Sequence, residues 1–235
     1  MTSQPGPPMP YRITIRNFIG ISLLIVLICV IGGIILVRLD PSIFTDKRNV
    51  HENLLWFSLV FTVAVLASTG YVLASRTAMG WGIIGMSRPE PRWVLIGIAT
   101  AAALFFVGER LDSVFRFGII AHARELYATG LTTQIGLIQL FAVWALVLPI
   151  PLEVYFRGVF LNFVRAMMNL EVAIGLSALA YGLLFFNPSI PVSVAYGVVH
   201  GAALSILYVR SGSLWTAIIA NASLGALTVA KIAWG

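Results

Sequence analysis

Charge is scarce in this chain: only 10% of its 235 residues are Asp, Glu, Lys or Arg, against 59% hydrophobic residues. That balance lies outside the range of water-soluble domains, so a soluble enzyme or soluble binding module is excluded. Cysteine is reduced to Cys29, which excludes a disulfide or thiolate cluster within one chain. Cys29 falls inside an apolar run and reads as packing. A concentrated basic face is also lacking. The fifteen Lys and Arg residues are not gathered on one face and, Arg157 apart, fall in or near connectors, which argues against nucleic acid as a partner and suits loops beside anionic lipid. There is no inverted internal repeat of the kind that marks secondary transporters.

What the chain has in quantity is long apolar runs. They lie near 18–37, 54–74, 93–107, 132–150, 172–186, 191–209 and 213–233, and a membrane span needs about 20 apolar residues. Backbone polar groups cannot stay unpaired in lipid, and these runs are too long for barrel strands. The expected fold is therefore all-α, a polytopic transmembrane bundle of about seven spans. The third and fifth runs are short, which predicts tilting, continuation into flanking amphipathic turns, or a place inside the bundle. The amphipathic connector ERLDSVFRFGIIAHARELYATG suits a segment along the interface. Trp56, Trp81, Trp93, Trp215 and Trp234 fall near run ends, where indoles anchor at the headgroup level.

Three regions follow: a disordered Pro-rich N-terminus at 1–17, two N-terminal spans with connectors at 18–92, and a helical core at 93–235. The first run lacks a cleavage pattern and is expected to remain as an anchor. Threading from a cytoplasmic N-terminus puts Arg12, Arg16, Arg76, Arg88, Arg92, Arg165 and Arg210 on one side. Arg38, Lys47, Arg48, Arg110, Arg116, Arg124 and Lys231 fall on the other. This even split does not fix the orientation; a cytoplasmic N-terminus in a bacterial inner membrane is the expectation.

Ionisable residues inside a membrane are expensive, so Glu153 and Arg157 in AVWALVLPIPLEVYFRGVFLNFVR stand out. They are four apart with Glu first, the favoured order for a helical pair. Spacing alone suits a structural ion pair that docks this helix on its neighbours. Within the sixth run, His200 suits either a hydrogen bond across helices or a ligand or relay role, and Gly197 and Gly201 form a small-xxx-small step for close packing.

The run Pro149-Ile-Pro-Leu-Glu153-Val-Tyr-Phe-Arg157-Gly158 resembles the first motif, Glu-Glu-x-x-x-Arg, of the CPBP (Abi) family of intramembrane CAAX-type endopeptidases and bacteriocin-processing enzymes. Leu176-Ser-Ala-Leu-Ala-Tyr181-Gly-Leu-Leu-Phe185 is similar to the second motif, an aromatic residue followed four positions later by His. Arg210-Ser-Gly-Ser-Leu-Trp-Thr-Ala-Ile-Ile-Ala-Asn221-Ala-Ser-Leu-Gly225 is similar to the third, a turn opening a helix that bears His-x-x-x-Asn. The resemblance covers roughly 93–233.

Four positions depart from that pattern. Leu152 stands for the first Glu, Phe185 for the first His, and Asn221 and Gly225 for the later His and Asn. The resemblance implies that the first Glu and both His activate water, directly or through a metal, and that the Asn stabilises the oxyanion. Leu152 and Phe185 cannot take a proton or bind a metal, and Asn221 is a poor base. The expectation is a site with no catalytic residues, no metal and no cofactor, with Glu153 and Arg157 as remnants. Phe185 and Phe186 are expected to fill the vacated cavity, and Ala217, Asn221 and Gly225 to form a helix contact with Asn221 as interhelical glue.

The expected function is that of a catalytically inactive CPBP-like membrane protein, with the bilayer and a membrane-protein partner or complex as its surroundings. One alternative is an active CAAX-type or peptide-processing endopeptidase using Glu153, aided by His200 or Asn221. Another is a small transporter lined by Glu153, Arg157, His200 and Asn221.

Overall fold

The computed structural model describes residues 13–41, 50–76, 80–115, 118–187, 190 and 192–235. Of the N-terminal region expected to be disordered, residues 1–12 lie outside the described residues, as do Lys47, Arg48 and Arg116, whereas residues 15–17 are helical. Helix α1 spans Ile15–Leu39, α2 Val50–Arg76 and α3 Pro91–Phe115, with a short 3₁₀ turn at Gly80–Ile84 between α2 and α3. Two short helices, α4 (Ile119–Leu126) and α5 (Ala128–Leu131), lead into α6, which runs without interruption over Gln134–Arg165. The chain ends with α7 (Leu170–Leu183), α8 (Ser193–Ser211) and α9 (Leu214–Trp234).

Six of these helices are long and apolar enough to cross a membrane: α1, α2, α3, α6, α8 and α9. The fifth run forms α7, which has only 14 residues. At 1.5 Å per residue it reaches about 21 Å, short of the roughly 30 Å hydrocarbon layer. One face of α7, with Ala173, Ser177, Ala178, Tyr181 and Gly182, is buried in the bundle, and its closest neighbour is α8. A Cβ on Gly182 would lie 2.8 Å from Val198 N, and one on Gly201 would lie 3.0 Å from Ala178 Cα. The small-xxx-small step at Gly197 and Gly201 thus brings two backbones together as expected. Beyond α7 the irregular chain satisfies itself locally, with Ser193 Oγ donating to the carbonyls of Phe185 and Ile190.

The third run, short by sequence, belongs to a 25-residue helix that carries Glu109, Arg110 and Asp112 in its last turns. The helix at the N-terminus starts at Ile15, three residues before the apolar run, because Thr14 caps it by accepting from Asn17 N.

The fourth run departs most from its sequence outline. Its apolar run covers 132–150, and prolines at 149 and 151 would ordinarily interrupt a helix there. In the structure α6 passes through both prolines and continues to Arg165. Residues Ala142–Val147 wind as a π-helix, and Leu148 N donates five residues back to Val143 O at 2.9 Å. The wider turn precedes Pro149, so the absent proline N–H falls where the helical ladder is already shifted. On α9, Gly225 sits directly against Trp144 O, in a space that a Cβ would overlap.

The turns on one end of the bundle are clasped together. Leu214 N donates to Gly85 O at 2.8 Å, and Ser213 Oγ donates to Ser87 O at 2.6 Å. Gly85 and Gly212 both have positive φ, which these tight turns require. At the other end Lys231 and Glu109 form an ion pair at 2.5 Å, and Arg124 donates to the Ile232 and Lys231 carbonyls.

A Cβ on Gly182 would meet the backbone at Val198 N and Val194 O as well as the Val198 side chain, so moving that side chain alone does not make room for Gly182→Val. It is expected to destabilise the protein by about 1–3 kcal/mol. Thermal unfolding in detergent measures this, and an unchanged midpoint would contradict the close α7–α8 approach.

Candidate functional site

The motif residues of α6 lie where the helix winds a second time as a π-helix, over Val154–Leu161. Side chains take up the carbonyls of this segment. Ser177 Oγ of α7 donates to Phe156 O at 3.1 Å, and Asn162 Nδ2 donates to Gly158 O at 2.8 Å. Asn162 also donates to the Tyr208 hydroxyl on α8, which in turn donates to Ile84 O in the 3₁₀ turn. The π segment is thus tied to α7, α8 and the turn before α3, and Gly158 lets Ile84 approach closely.

Glu153 and Arg157 face inward from this segment and are fully buried, at 0% exposure each. Arg157 Nη1 meets Glu153 Oε1 at 3.2 Å, and Arg157 Nη2 donates to Gly201 O at 2.8 Å. The guanidinium lies over the Tyr181 ring, 4.3 Å from its centroid, a desolvated cation–π contact. The same carboxylate oxygen also accepts from Asn221 Nδ2 of α9, at 2.7 Å, and that amide lies 3.4 Å from the Tyr181 hydroxyl. Four helices therefore converge on one ion pair: α6 supplies the charges, α7 an aromatic face, α8 a carbonyl and α9 an amide.

The ion pair read from spacing is present, and Asn221 acts as the expected glue between α9 and α6. His200 differs from its expected hydrogen-bonded role. It is buried, yet neither ring nitrogen has a hydrogen-bond partner among the described residues. It packs instead as a ring among rings, edge-on to Tyr181 at 5.2 Å and tilted against Phe185 and Tyr196 at 6.3 Å each. Phe185, half-buried, packs against Tyr181, Gly197 and His200. Phe186 does not: it points outward at 61% exposure, because the chain leaves the helical path at the end of α7. Leu152 is half-buried one residue before Glu153. Ala217 is buried, and Gly225 contacts Trp144 instead of the ion pair.

Tyr181 and Gly201 carry roles that the sequence left unassigned. Tyr181 was visible as a motif aromatic, but its position over Arg157 requires the packing of α7 on α6. Gly201 was read as a packing residue, and its closeness to α7 accompanies the bond from its carbonyl to Arg157. Neither of the two cavities described is lined by Glu153, Arg157, His200 or Asn221.

Water activation on the family pattern would need a carboxylate and two imidazoles, or a metal held by them. The side chains in those positions, Leu152, Phe185 and Asn221, supply one amide and two hydrocarbon groups. They do not fit a metal. Among the described residues, no three His, Cys, Asp or Glu side chains come together as a ligand set.

Six apolar helices long enough to span, with a charged pair buried among them, define a polytopic helical membrane protein. Residues 134–227 match the family model of the type II CAAX prenyl endopeptidase Rce1-like proteins, within the CPBP family that the motif residues resemble. The matched segment contains α6 to most of α9, and so every residue of the cluster. No curated protein and no solved structure matches.

Removing Glu153 would leave a buried guanidinium without its counter-charge. Glu153→Ala is expected to cost about 3–5 kcal/mol, while Glu153→Met combined with Arg157→Met should recover most of that loss. Thermal unfolding of both variants in the same detergent makes the comparison. A stable single variant would show that the pair does not hold the helices together.

Proposed function

We propose that this Rce1-like membrane protein is catalytically inactive and serves as a binding or structural subunit of a membrane complex. The observation that carries this reading is the use made of Glu153. Its Oε1 is engaged by Arg157 and by Asn221 in a fully buried position. A general base must lie within reach of the proton it takes, directly or through one water. With Oε1 shared by a guanidinium and an amide and Leu152 alongside, the buried carboxylate serves as the partner of Arg157, and its Oε2 has no hydrogen-bond partner among the described residues.

The same packing weighs against a transporter, whose pathway would require polar residues facing a continuous passage. Glu153, Arg157, His200 and Asn221 face one another or aromatic rings, and all are buried. What remains for function is the outer surface of the bundle and its clefts. Exposed apolar residues along α1, including Leu23, Val26, Val30 and Ile34, suit contact with lipid or another membrane helix.

Purified full-length protein in mild detergent is expected to leave prenylated CAAX-type peptides intact and to bring a stoichiometric membrane partner with it. Peptide mass spectrometry reads the first outcome and protein mass spectrometry the second. Cleavage that disappears in Glu153→Gln would overturn the proposal.

A further inference from the structure

A cleft of about 240 Å³ opens between α3, α4, α8 and α9, away from the buried ion pair. Its walls are almost wholly hydrocarbon: Leu104, Phe105, Leu111, Ile120 and Val199 are among them, with the Tyr196 ring set against Gly108. The Tyr196 hydroxyl is already committed to Leu104 O at 3.3 Å. The interior therefore offers little to a polar solute and much to a hydrocarbon chain. Val107, Leu111 and Val199 are also exposed on the bundle's outer surface, so a chain has a lateral way in.

The polar groups gather at one end. Glu109 and Asp112 line the cleft one helical turn apart on α3. Lys231 pairs with Glu109 at 2.5 Å, both side chains being one-third exposed. Arg124 is drawn to the same end by its bonds to the Lys231 and Ile232 carbonyls. Asp112 Oδ2 accepts from Ile120 N at 3.3 Å, which fixes α4 across the end of α3, and Gly118 with φ of 72° makes the turn between them. Thus an apolar slot ends in a partly solvated group of both charge signs, at the end of the long helices where headgroups lie.

We propose that this cleft binds one chain of a phospholipid whose headgroup carries both a phosphate and a primary ammonium. The ammonium lies against Glu109 and Asp112, and the phosphate lies toward Lys231 and Arg124, which flank that end without lining the cleft. The two carboxylates disfavour a purely anionic headgroup, and the two cations favour a phosphate. This inference goes beyond the inactive-protein reading and does not depend on it, since no residue of the buried ion-pair cluster lines the cleft.

The test is to incorporate the full-length protein into nanodiscs made from equal amounts of phosphatidylethanolamine and phosphatidylglycerol, release it, and identify retained lipid by native mass spectrometry. The wild type is expected to retain phosphatidylethanolamine with about fivefold preference, the scale of partly exposed ion pairs. Glu109→Gln combined with Asp112→Asn should keep a bound lipid but lose the preference. Ala195→Trp, at an exposed lining position, should displace the lipid, and Val199→Trp provides the same block from a second lining position if the first variant fails to fold. Equal retention of the two lipids by the wild type, or undiminished retention in a folded blocking variant, would overturn the proposal.

Discussion

The guanidinium of Arg157 cannot reach water, and the arrangement of the C-terminal half of the bundle answers that constraint. A lone cation in hydrocarbon would cost far more than any single contact returns. Here the charge is divided among a carboxylate on its own helix, a backbone carbonyl of α8 and the ring face of α7. Each partner must be delivered to within a few ångströms. That demand brings α7 and α8 together over α6, and the glycines at 182, 197 and 201 let α7 and α8 approach each other closely.

Close packing creates a second demand, because helices that approach this closely must still satisfy their backbones. The two π-helical stretches of α6 show how this is met. Around Pro149 the wound-out turn takes up the missing N–H bond. Around Gly158 it presents carbonyls to Asn162 and Ser177. The resulting links to Tyr208 and Ile84 join the ion pair to the turns that clasp the end of the bundle. Charge burial, helix winding and turn geometry form one connected solution.

Much of this was legible in the sequence because lipid leaves few choices. An apolar run of sufficient length must be a helix, so all seven runs appear as helices, with the one at 172–186 too short to cross. Glu153 and Arg157 were visible as a pair because helical spacing is local. The extent of α6 was not visible, since Pro149 and Pro151 normally end a helix and nothing local announces a π turn. His200 was misread for a similar reason: its surroundings come from Tyr181, Phe185 and Tyr196, and only the fold brings those rings together. Phe186 was assigned inward together with Phe185, but three residues beyond the end of α7 the helical register no longer decides direction.

The residues at the four departed motif positions have uses of their own in the bundle. Phe185 occupies the space between Tyr181, Gly197 and His200, where an aromatic ring adds dispersion contacts. Gly225 admits Trp144 O, next to the turn that Pro149 distorts; a side chain there would drive α9 away from α6. Asn221 is the one departed position that stays polar in the cluster, and its amide is the second donor to Glu153 Oε1. An apolar residue at 221 would remove that donor and leave the carboxylate to Arg157 alone, in a place where unmet acceptors are costly. On the proposed reading this explains the pattern: where the ion pair needs a partner the chain keeps a hydrogen-bonding group, and elsewhere it follows the packing of the helices.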